Sequence, residues 1–145
     1  MEIKKVVVIG SGTMGSGIAA QICNANIPVT LLDLKTEISK KARDRIHKSR
    51  PPLLLDKSKI NNIKVGNILD DFAEVNEADW VVEAVVERID IKHDIYEKIF
   101  KERKKGAIVS SNTSSIPIKV LSQNLTEEEK KSLFAQDWLC IWISA

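Results

Sequence analysis

The fold of this chain is decided by one stretch near its start, Val6-Val7-Val8-Ile9-Gly10-Ser11-Gly12-Thr13-Met14-Gly15. Its apolar half predicts a strand buried on both faces, because the β-branched residues follow one another without alternating with polar ones. Its second half has the spacing G-x-G-x-x-G, and the next predicted strand ends at an acidic residue, Asp33. This order of strand, glycine loop, helix and acid is the fingerprint of a dinucleotide site in a Rossmann unit.

Each glycine of the loop has a distinct predicted role. Gly10 permits the tight turn, Gly12 lets the backbone approach a pyrophosphate, and Gly15 allows close packing of helix on strand. The intervening residues complete the loop, whose free N–H groups at the helix start attract phosphate; they are Ser11, Thr13 and Met14. The alternative is a structural glycine turn without a ligand, which the surrounding strand, helix and acid disfavour.

Asp33 predicts which dinucleotide is bound. A carboxylate at the end of the second strand can accept hydrogen bonds from both hydroxyls of the adenosine ribose, and it repels a 2′-phosphate. The sequence therefore favours NAD over NADP as the cofactor, although Lys35 close by weakens this preference. The alternative is that Asp33 is an ordinary exposed turn residue.

The composition excludes several classes of protein. The 145 residues suit one domain, 43% of them are apolar, and the 29% that are charged give a net charge of only +2 with both signs interspersed. We expect no nucleic-acid partner, no disulfide framework and no metal site, since the two cysteines are Cys23 and Cys140. No apolar run is long enough to span a membrane, and the start does not resemble a signal peptide, so we expect a cytoplasmic protein.

The hydrophobic pattern predicts strands that alternate with helices. The predicted strands are residues 3–9, 29–32, 63–66, 80–86 and 107–110. The predicted helices are residues 14–24, 36–49 and 91–101, with Thr36 as an N-cap and a further helix beginning at the capping box of Thr126 and Glu129. This alternation predicts a single α/β domain, with a Rossmann-like, doubly wound and mainly parallel sheet.

Two further stretches carry a resemblance to a known family. They are Ala78-Asp79-Trp80-Val81-Val82-Glu83-Ala84-Val85-Val86-Glu87 and Ser110-Ser111-Asn112-Thr113-Ser114-Ser115-Ile116-Pro117-Ile118. Together with Met14 in the glycine loop, they resemble the NAD-binding domain of the 3-hydroxyacyl-CoA dehydrogenases over roughly residues 1–125. The region around Pro51 and Pro52 is most similar to the long members that also carry an enoyl-CoA hydratase. Other 3-hydroxyacid dehydrogenases share the opening, but these two stretches argue against them.

The resemblance implies a function and a set of site residues. The family oxidises (S)-3-hydroxyacyl-CoA to 3-oxoacyl-CoA in fatty-acid β-oxidation, so an acyl-CoA substrate is implied. Glu87 and Lys92 would lie beside the nicotinamide, and Ser114 would lie between the nicotinamide and the substrate hydroxyl. The alternatives are ordinary first-turn helix charges for Glu87 and Lys92, and turn or capping roles for Asn112 and Thr113.

The resemblance also bears on the basic residues and the histidines. In the family the second helix helps to hold the CoA phosphates, and here that helix ends in Lys48, Ser49 and Arg50. A charged surface helix is an equally good interpretation, because basic residues are favourable at a helix C-terminus. We expect His93 to be a solvated helix position and His47 to have no catalytic role. Cys23 is expected to be buried in the first helix.

The family pattern stops after Lys131. There the family continues into a strand that ends in His-Phe-Phe-Asn-Pro, whose histidine is the catalytic base, and then into a helical domain that forms dimer contacts. This chain instead continues with Ser132-Leu133-Phe134-Ala135-Gln136-Asp137-Trp138-Leu139-Cys140-Ile141-Trp142-Ile143-Ser144-Ala145. We therefore divide it into an NAD-binding domain, residues 1–131, and a divergent apolar tail, residues 132–145, and our hypothesis is a shifted reading frame near Ser132.

This departure predicts a cofactor domain that does not turn over by itself. Oxidation of a secondary alcohol needs a base within reach of the hydroxyl, and a serine hydroxyl is a poor base without help. Without the helical domain, we do not expect a stable oligomer. The alternatives are an NAD-binding module that acts through a partner docked on the apolar tail, and a truncated gene product without function.

Overall fold

A computed structural model of the chain describes residues 2–135 as a parallel sheet with helices on both faces. The six strands are β1 Val6–Ile9, β2 Val29–Asp33, β3 Ile63–Asn67, β4 Trp80–Glu83, β5 Ile108–Ser111 and β6 Leu133–Ala135. Their spatial order is β3-β2-β1-β4-β5-β6, and every neighbouring pair is parallel. The order reverses between β1 and β4, which places a ligand crevice at the carboxyl ends of these two strands.

The crossovers between strands are helical. The helices are α1 Thr13–Asn24, α2 Thr36–Lys48, α3 Ile89–Glu102, α4 Ile118–Leu121 and α5 Glu127–Lys130, with two 3-10 segments at Lys57–Asn62 and Phe72–Glu77. Two apolar clusters form the core on opposite faces of the sheet. Val6 and Val8 of β1 belong to the cluster that contains α1 and α2, and Val7 and Ile9 belong to the cluster that contains α3. The central strand is thus buried on both faces, as its sequence predicts.

The predicted fold class is confirmed, and several predicted boundaries are wrong. β1 begins at Val6 rather than at residue 3, and β4 ends at Glu83 rather than at residue 86. The strand stops there because the chain turns, and the Val85 N–H donates to the side chain of Glu83. β5 lies one residue later than predicted, and α3 extends beyond the predicted helix at both ends.

The two predicted N-caps have different outcomes. Thr126 and Glu129 form the predicted capping box of α5. Thr36 is not an N-cap, because it is already the first residue of α2 and Lys35 precedes the helix with extended backbone. The Thr36 hydroxyl instead accepts a hydrogen bond from Asn67 at the end of β3. Within residues 2–135, no helix has the length and the apolar character that crossing a bilayer requires.

Candidate cofactor-binding site

The glycine loop joins β1 to α1 at the crevice. Gly10 has a φ of +100°, and a side chain there would collide with the carbonyl of Ala84 in the loop after β4. A side chain on Gly15 would collide with the carbonyl of Gly10. A Cβ on Gly12, in contrast, would meet nothing within 4 Å. Gly10 and Gly15 are therefore required by the fold, whereas Gly12 leaves open space beside the backbone.

That open space lies at the N-terminus of α1. Gly12 precedes the helix without a side-chain cap, and the first turn contains no acidic residue. Thr13 is exposed there, whereas Met14 is half-buried and contacts the apolar core. A helix of 12 residues with an uncapped start offers N–H groups and a partial positive charge to an anion.

Asp33 lies at the end of β2 and is tied to the glycine loop. Its Oδ2 accepts hydrogen bonds from the Ser11 N–H at 2.7 Å and from the Ser11 hydroxyl at 2.5 Å. Its Oδ1 accepts the N–H of Leu34 at 2.7 Å. A carboxylate oxygen can accept more than one hydrogen bond, so this acid can hold the loop and still bind a hydroxyl.

A cavity of about 400 Å³ runs along these elements. It is lined by the glycine loop, by the end of β2 and by the loop between β4 and α3: Gly10, Ser11, Gly12, Asp33, Ala84, Val85 and Val86. Its other walls include apolar residues of α2 and α3, among them Ile38 and Ile91. The cavity thus combines an apolar lining with polar groups at one end, as cofactor sites do.

Arg45 is a residue of this site that the sequence analysis missed. Its guanidinium donates from α2 to the carbonyl of Ser11 at 2.9 Å and to the Ser16 hydroxyl at 3.1 Å. The Ser16 hydroxyl also donates to the Ser11 carbonyl at 3.0 Å. Ser11 is thereby held through its N–H, its hydroxyl and its carbonyl, which fixes the conformation of the loop. No local motif marks Arg45, because its partners come from another crossover.

Glu83 is a second residue that the sequence analysis missed. Its side chain is fully buried at the end of β4 and accepts hydrogen bonds from Lys92 Nζ at 2.7 Å, Tyr96 Oη at 2.6 Å and Ser111 Oγ at 2.6 Å. Burial and the neighbouring Glu83 raise the pKa of the Tyr96 hydroxyl far above its usual range. Glu83 therefore joins β4, α3 and β5 through a buried polar cluster.

Lys92 and Glu87 extend this cluster to the loop between β4 and α3. Lys92 has no exposed side-chain surface, and its ammonium lies 3.3 Å from Glu87, whose side chain is 35% exposed. Glu87 also accepts hydrogen bonds from the hydroxyls of Thr113 and Ser115. Partial burial raises the pKa of Glu87, but the bonds from Thr113 and Ser115 and the charge of Lys92 outweigh it and lower the pKa to about 2. Glu87 and Lys92 are thus members of one network rather than isolated helix charges.

The loop after β5 contains the remaining predicted residues. The hydroxyl of Thr113 accepts the Ile116 N–H at 3.1 Å, so it shapes the turn as well as binding Glu87. The Asn112 N–H donates to the carbonyl of Glu83. Ser114 is exposed in this turn. Ser114 lies between Thr113 and Ser115, the two residues of this loop whose hydroxyls donate to Glu87. The Ser114 hydroxyl itself forms no hydrogen bond with residues 2–135.

The two histidines lie in different surroundings. His93 is half-buried rather than fully solvated, because its Nε2 is 2.9 Å from the Val120 carbonyl and Asn124 contacts its Nδ1. His47 is exposed and lines a cavity of about 670 Å³ beyond the end of α2. The other residues that line this cavity are mostly basic: Lys48, Ser49, Arg50, Pro52 and Lys57. Cys23 is buried in α1 as predicted, and burial raises its pKa to about 11.

The fold and the crevice are typical of the dinucleotide-binding class of α/β domains. The profile of the family "3-hydroxyacyl-CoA dehydrogenase, NAD binding domain" matches residues 5–135. The chain therefore belongs to the family of 3-hydroxyacyl-CoA dehydrogenase NAD-binding domains, as its motifs predict.

Individual relatives agree with this assignment. The chain is 45% identical over 136 residues to a putative fatty acid oxidation complex trifunctional enzyme of Rickettsia felis, covering 89% of this chain and 19% of that protein. It is 43% identical over 135 residues to a probable 3-hydroxyacyl-CoA dehydrogenase of Deinococcus radiodurans, and the match covers 88% of this chain and 39% of that protein. The crystal structure of 3-hydroxybutyryl-CoA dehydrogenase from Escherichia coli superimposes on this chain with a TM-score of 0.80 at 25% identity. The match covers 93% of this chain and 29% of the crystallised one. The chain thus spans well under half the length of these relatives.

Proposed function

We propose that this chain binds NAD along the crevice, as the cofactor-binding part of an (S)-3-hydroxyacyl-CoA dehydrogenase. One observation carries the proposal: the open side of Gly12 lies at the uncapped start of α1, in the same cavity as the Asp33 carboxylate. The N–H groups at the start of α1 can bind an anion, and the adjacent Asp33 carboxylate can bind a diol. The pyrophosphate and the ribose of a dinucleotide need these two kinds of group side by side. The residues present fit the cofactor.

Each part of the crevice has a proposed role. The N–H groups of the loop from Ser11 to Met14 hold the pyrophosphate, and Asp33 accepts the ribose hydroxyls. Glu87, supported by Lys92, lies beside the nicotinamide, and Ser114 hydrogen-bonds the substrate. When bound, NAD accepts the hydride from the hydroxyl-bearing carbon of the substrate.

Family membership and the basic cavity support a proposed substrate class. We propose that the cavity beyond α2, with Lys48, Arg50 and Lys57, attracts the phosphates of an acyl-CoA. Phosphate is held well by several flexible ammonium and guanidinium groups converging on one opening. This role is expected to be salt-sensitive, because the side chains are exposed.

We further propose that these 145 residues do not turn over substrate by themselves. His93 is engaged with the Val120 carbonyl and Asn124, and His47 lies at the far end of α2. Neither histidine lies on the loops that follow β4 and β5, where the substrate hydroxyl is proposed to bind. Purified protein with NADH and acetoacetyl-CoA should therefore show no NADH consumption above background, and detectable turnover would contradict this part of the proposal.

Calorimetric titration with NADH tests the binding. We expect saturable binding by the wild-type chain and a loss of at least about tenfold in affinity for Asp33→Ala, because charged hydrogen bonds to the ribose are removed. Asp94→Ala is the matched control, since Asp94 is exposed on α3. Circular dichroism confirms that each variant is folded. A folded wild-type chain that binds no NADH, or an Asp33→Ala variant that binds as tightly as wild type, would overturn the proposal.

A further inference from the structure

The buried polar cluster around Glu83 contains two carboxylates but only one ammonium group. Glu83 and Lys92 are both fully buried and 2.7 Å apart, and Glu87 lies 3.3 Å from the same ammonium. Two carboxylates therefore share one cation. With all three groups ionised, this triad of Glu83, Lys92 and Glu87 has a net charge of −1.

No other charge of the described residues compensates this excess directly. The remaining donors to the two carboxylates are neutral hydroxyls and backbone N–H groups, from Tyr96, Ser111, Thr113, Ser115 and Val85. The nearest cation in sequence, Arg88, forms an exposed ion pair with Asp90. The uncompensated charge therefore resides on the partly exposed member, Glu87.

The position of Glu87 gives this charge a consequence. Glu87 directly follows Val85 and Val86, which line the candidate cofactor cavity, and α3 contributes Ile91 to the same cavity. An oxidised nicotinamide ring carries a positive charge that the reduced ring lacks. With Glu87 beside the nicotinamide, as the proposed function has it, its fixed negative charge stabilises the oxidised ring relative to the reduced one.

We propose that Glu83 is a positioning residue that sets this charge: it neutralises the Lys92 ammonium, so that the negative charge of Glu87 stays uncompensated and acts on the nicotinamide. The inference rests on the proposed function, because it requires NAD in the crevice. Glu83 touches no ligand, since its side chain has no exposed surface. It acts through Lys92, which is buried as well and also pairs with the partly exposed Glu87.

The ratio of the NAD⁺ and NADH dissociation constants tests this inference. Glu83→Gln keeps the shape and most hydrogen bonds but brings the triad to a net charge of zero. We expect NAD⁺ binding to weaken relative to NADH by about tenfold, the order that Coulomb's law gives for one charge at short range in a partly screened site. A merely structural role would weaken both forms together and leave the ratio unchanged.

Two further variants complete the series. The double variant E83Q/K92M restores the net charge to −1, so its ratio should return to within about threefold of wild type, the span of ordinary context effects on such energies. Ser111→Ala is the matched control, because it removes the hydrogen bond that the Ser111 hydroxyl donates to Glu83 without changing a charge. Its ratio should equal that of wild type.

The outcomes separate the two proposals. A wild-type chain that binds neither form overturns the proposed function, and this inference with it. A wild-type chain that binds both forms, with an unchanged ratio in Glu83→Gln, overturns this inference alone. If Glu83→Gln does not fold, the double variant E83Q/K92M and the variant Glu87→Gln replace it. We expect the wild-type ratio of dissociation constants in the double variant and about a tenfold change of that ratio in Glu87→Gln. Any other pattern contradicts the inference.

Discussion

The carboxylate of Asp33 accepts two hydrogen bonds from Ser11, one from its N–H at 2.7 Å and one from its hydroxyl at 2.5 Å. The residue expected to bind ribose is therefore already fastened to the loop expected to bind pyrophosphate. Arg45 holds the opposite side of Ser11 through its carbonyl. Such organisation before binding lowers the ordering cost of holding a flexible dinucleotide.

Ser11→Ala tests this organisation. The substitution removes the shorter of the two bonds to Asp33 and leaves the backbone N–H in place. We expect the NADH affinity to fall about three- to tenfold, which corresponds to the net value of one hydrogen bond. Ser132→Ala is the matched control, because it removes one hydrogen bond to the Glu129 carbonyl far from the crevice. Equal affinities of the Ser11→Ala variant and wild type would show that the loop holds its shape without this bond.

Two glycines of the loop, Gly12 and Gly15, should separate cofactor binding from folding. Gly12→Ala meets no atom within 4 Å and needs no unusual backbone angle, so it should leave thermal stability nearly unchanged. It should nevertheless reduce NADH affinity by more than about tenfold, since the new methyl lies where the pyrophosphate is proposed to bind. Gly15→Ala should instead destabilise the fold by about 1–3 kcal/mol or more, through collision with the Gly10 carbonyl. Thermal melts and titrations of both variants measure the contrast, and the reverse pattern would refute it.

Asp33 should also determine which cofactor is selected. Wild-type chain should bind NADPH at least about tenfold more weakly than NADH, because the carboxylate repels the 2′-phosphate. Asp33→Asn removes that repulsion while an amide oxygen still accepts the Ser11 hydrogen bonds. The preference should then shrink, helped by the exposed Lys35. Displacement of bound NADH by NADPH, followed by NADH fluorescence, measures the ratio of the two affinities. An unchanged ratio in Asp33→Asn would show that Asp33 does not discriminate between the two riboses.

A charge cluster distant from the crevice should govern acid stability. Glu74 lies 2.6 Å from Lys64 and 2.9 Å from Lys5, and the hydrogen bond from Lys64 is the main cause that lowers its pKa to about 2. A lowered pKa in the folded state contributes stability that is present above about pH 4.5 and is lost as the pH falls towards 2. Glu74→Gln should therefore lower the melting temperature at pH 7 by a few degrees, and the difference from wild type should narrow as the pH falls through this window.

Thermal melts from pH 7 to pH 3 check this expectation. Glu97→Gln serves as the control, because Glu97 is an exposed acid on α3. It should change the melting temperature little at any pH. If the difference in melting temperature between Glu74→Gln and wild type stayed constant with pH, packing rather than charge would explain the effect.

Local motifs in the sequence predict the part of the site that is contiguous. The glycine loop and Asp33 are predictable because each follows a recognisable strand, and the fold supplies only their final distance. Glu83 is different. It stands at the end of an apolar strand, and its partners Lys92, Tyr96 and Ser111 lie 9, 13 and 28 residues away. No local pattern indicates a carboxylate that gains its buried partners only after the β4-α3-β5 crossover brings the ends of β4 and β5 together with α3.

Element ends show the same limit. Thr36 has the residue type and position of an N-cap, but Asn67 of the neighbouring strand binds its hydroxyl and the helix starts one residue early. Residues 84–86 have the composition of a strand, but the close approach of Gly10 and the side chain of Glu83 turn the chain away. In both cases a tertiary contact overrides the local preference.

A nuclear magnetic resonance titration of the 145-residue chain with NADH is the sharpest test of NAD binding in the crevice, because backbone amide shifts locate the bound cofactor residue by residue. We expect saturable shifts that concentrate at Gly10 to Gly15, at Asp33 and along the loop from Ala84 to Glu87. Amides around Glu97 on α3 and Glu129 on α5, which do not line the cavity, should not shift. A folded chain whose spectrum is unchanged at saturating NADH, or whose shifts cluster away from the glycine loop, would show that NAD does not bind in this crevice.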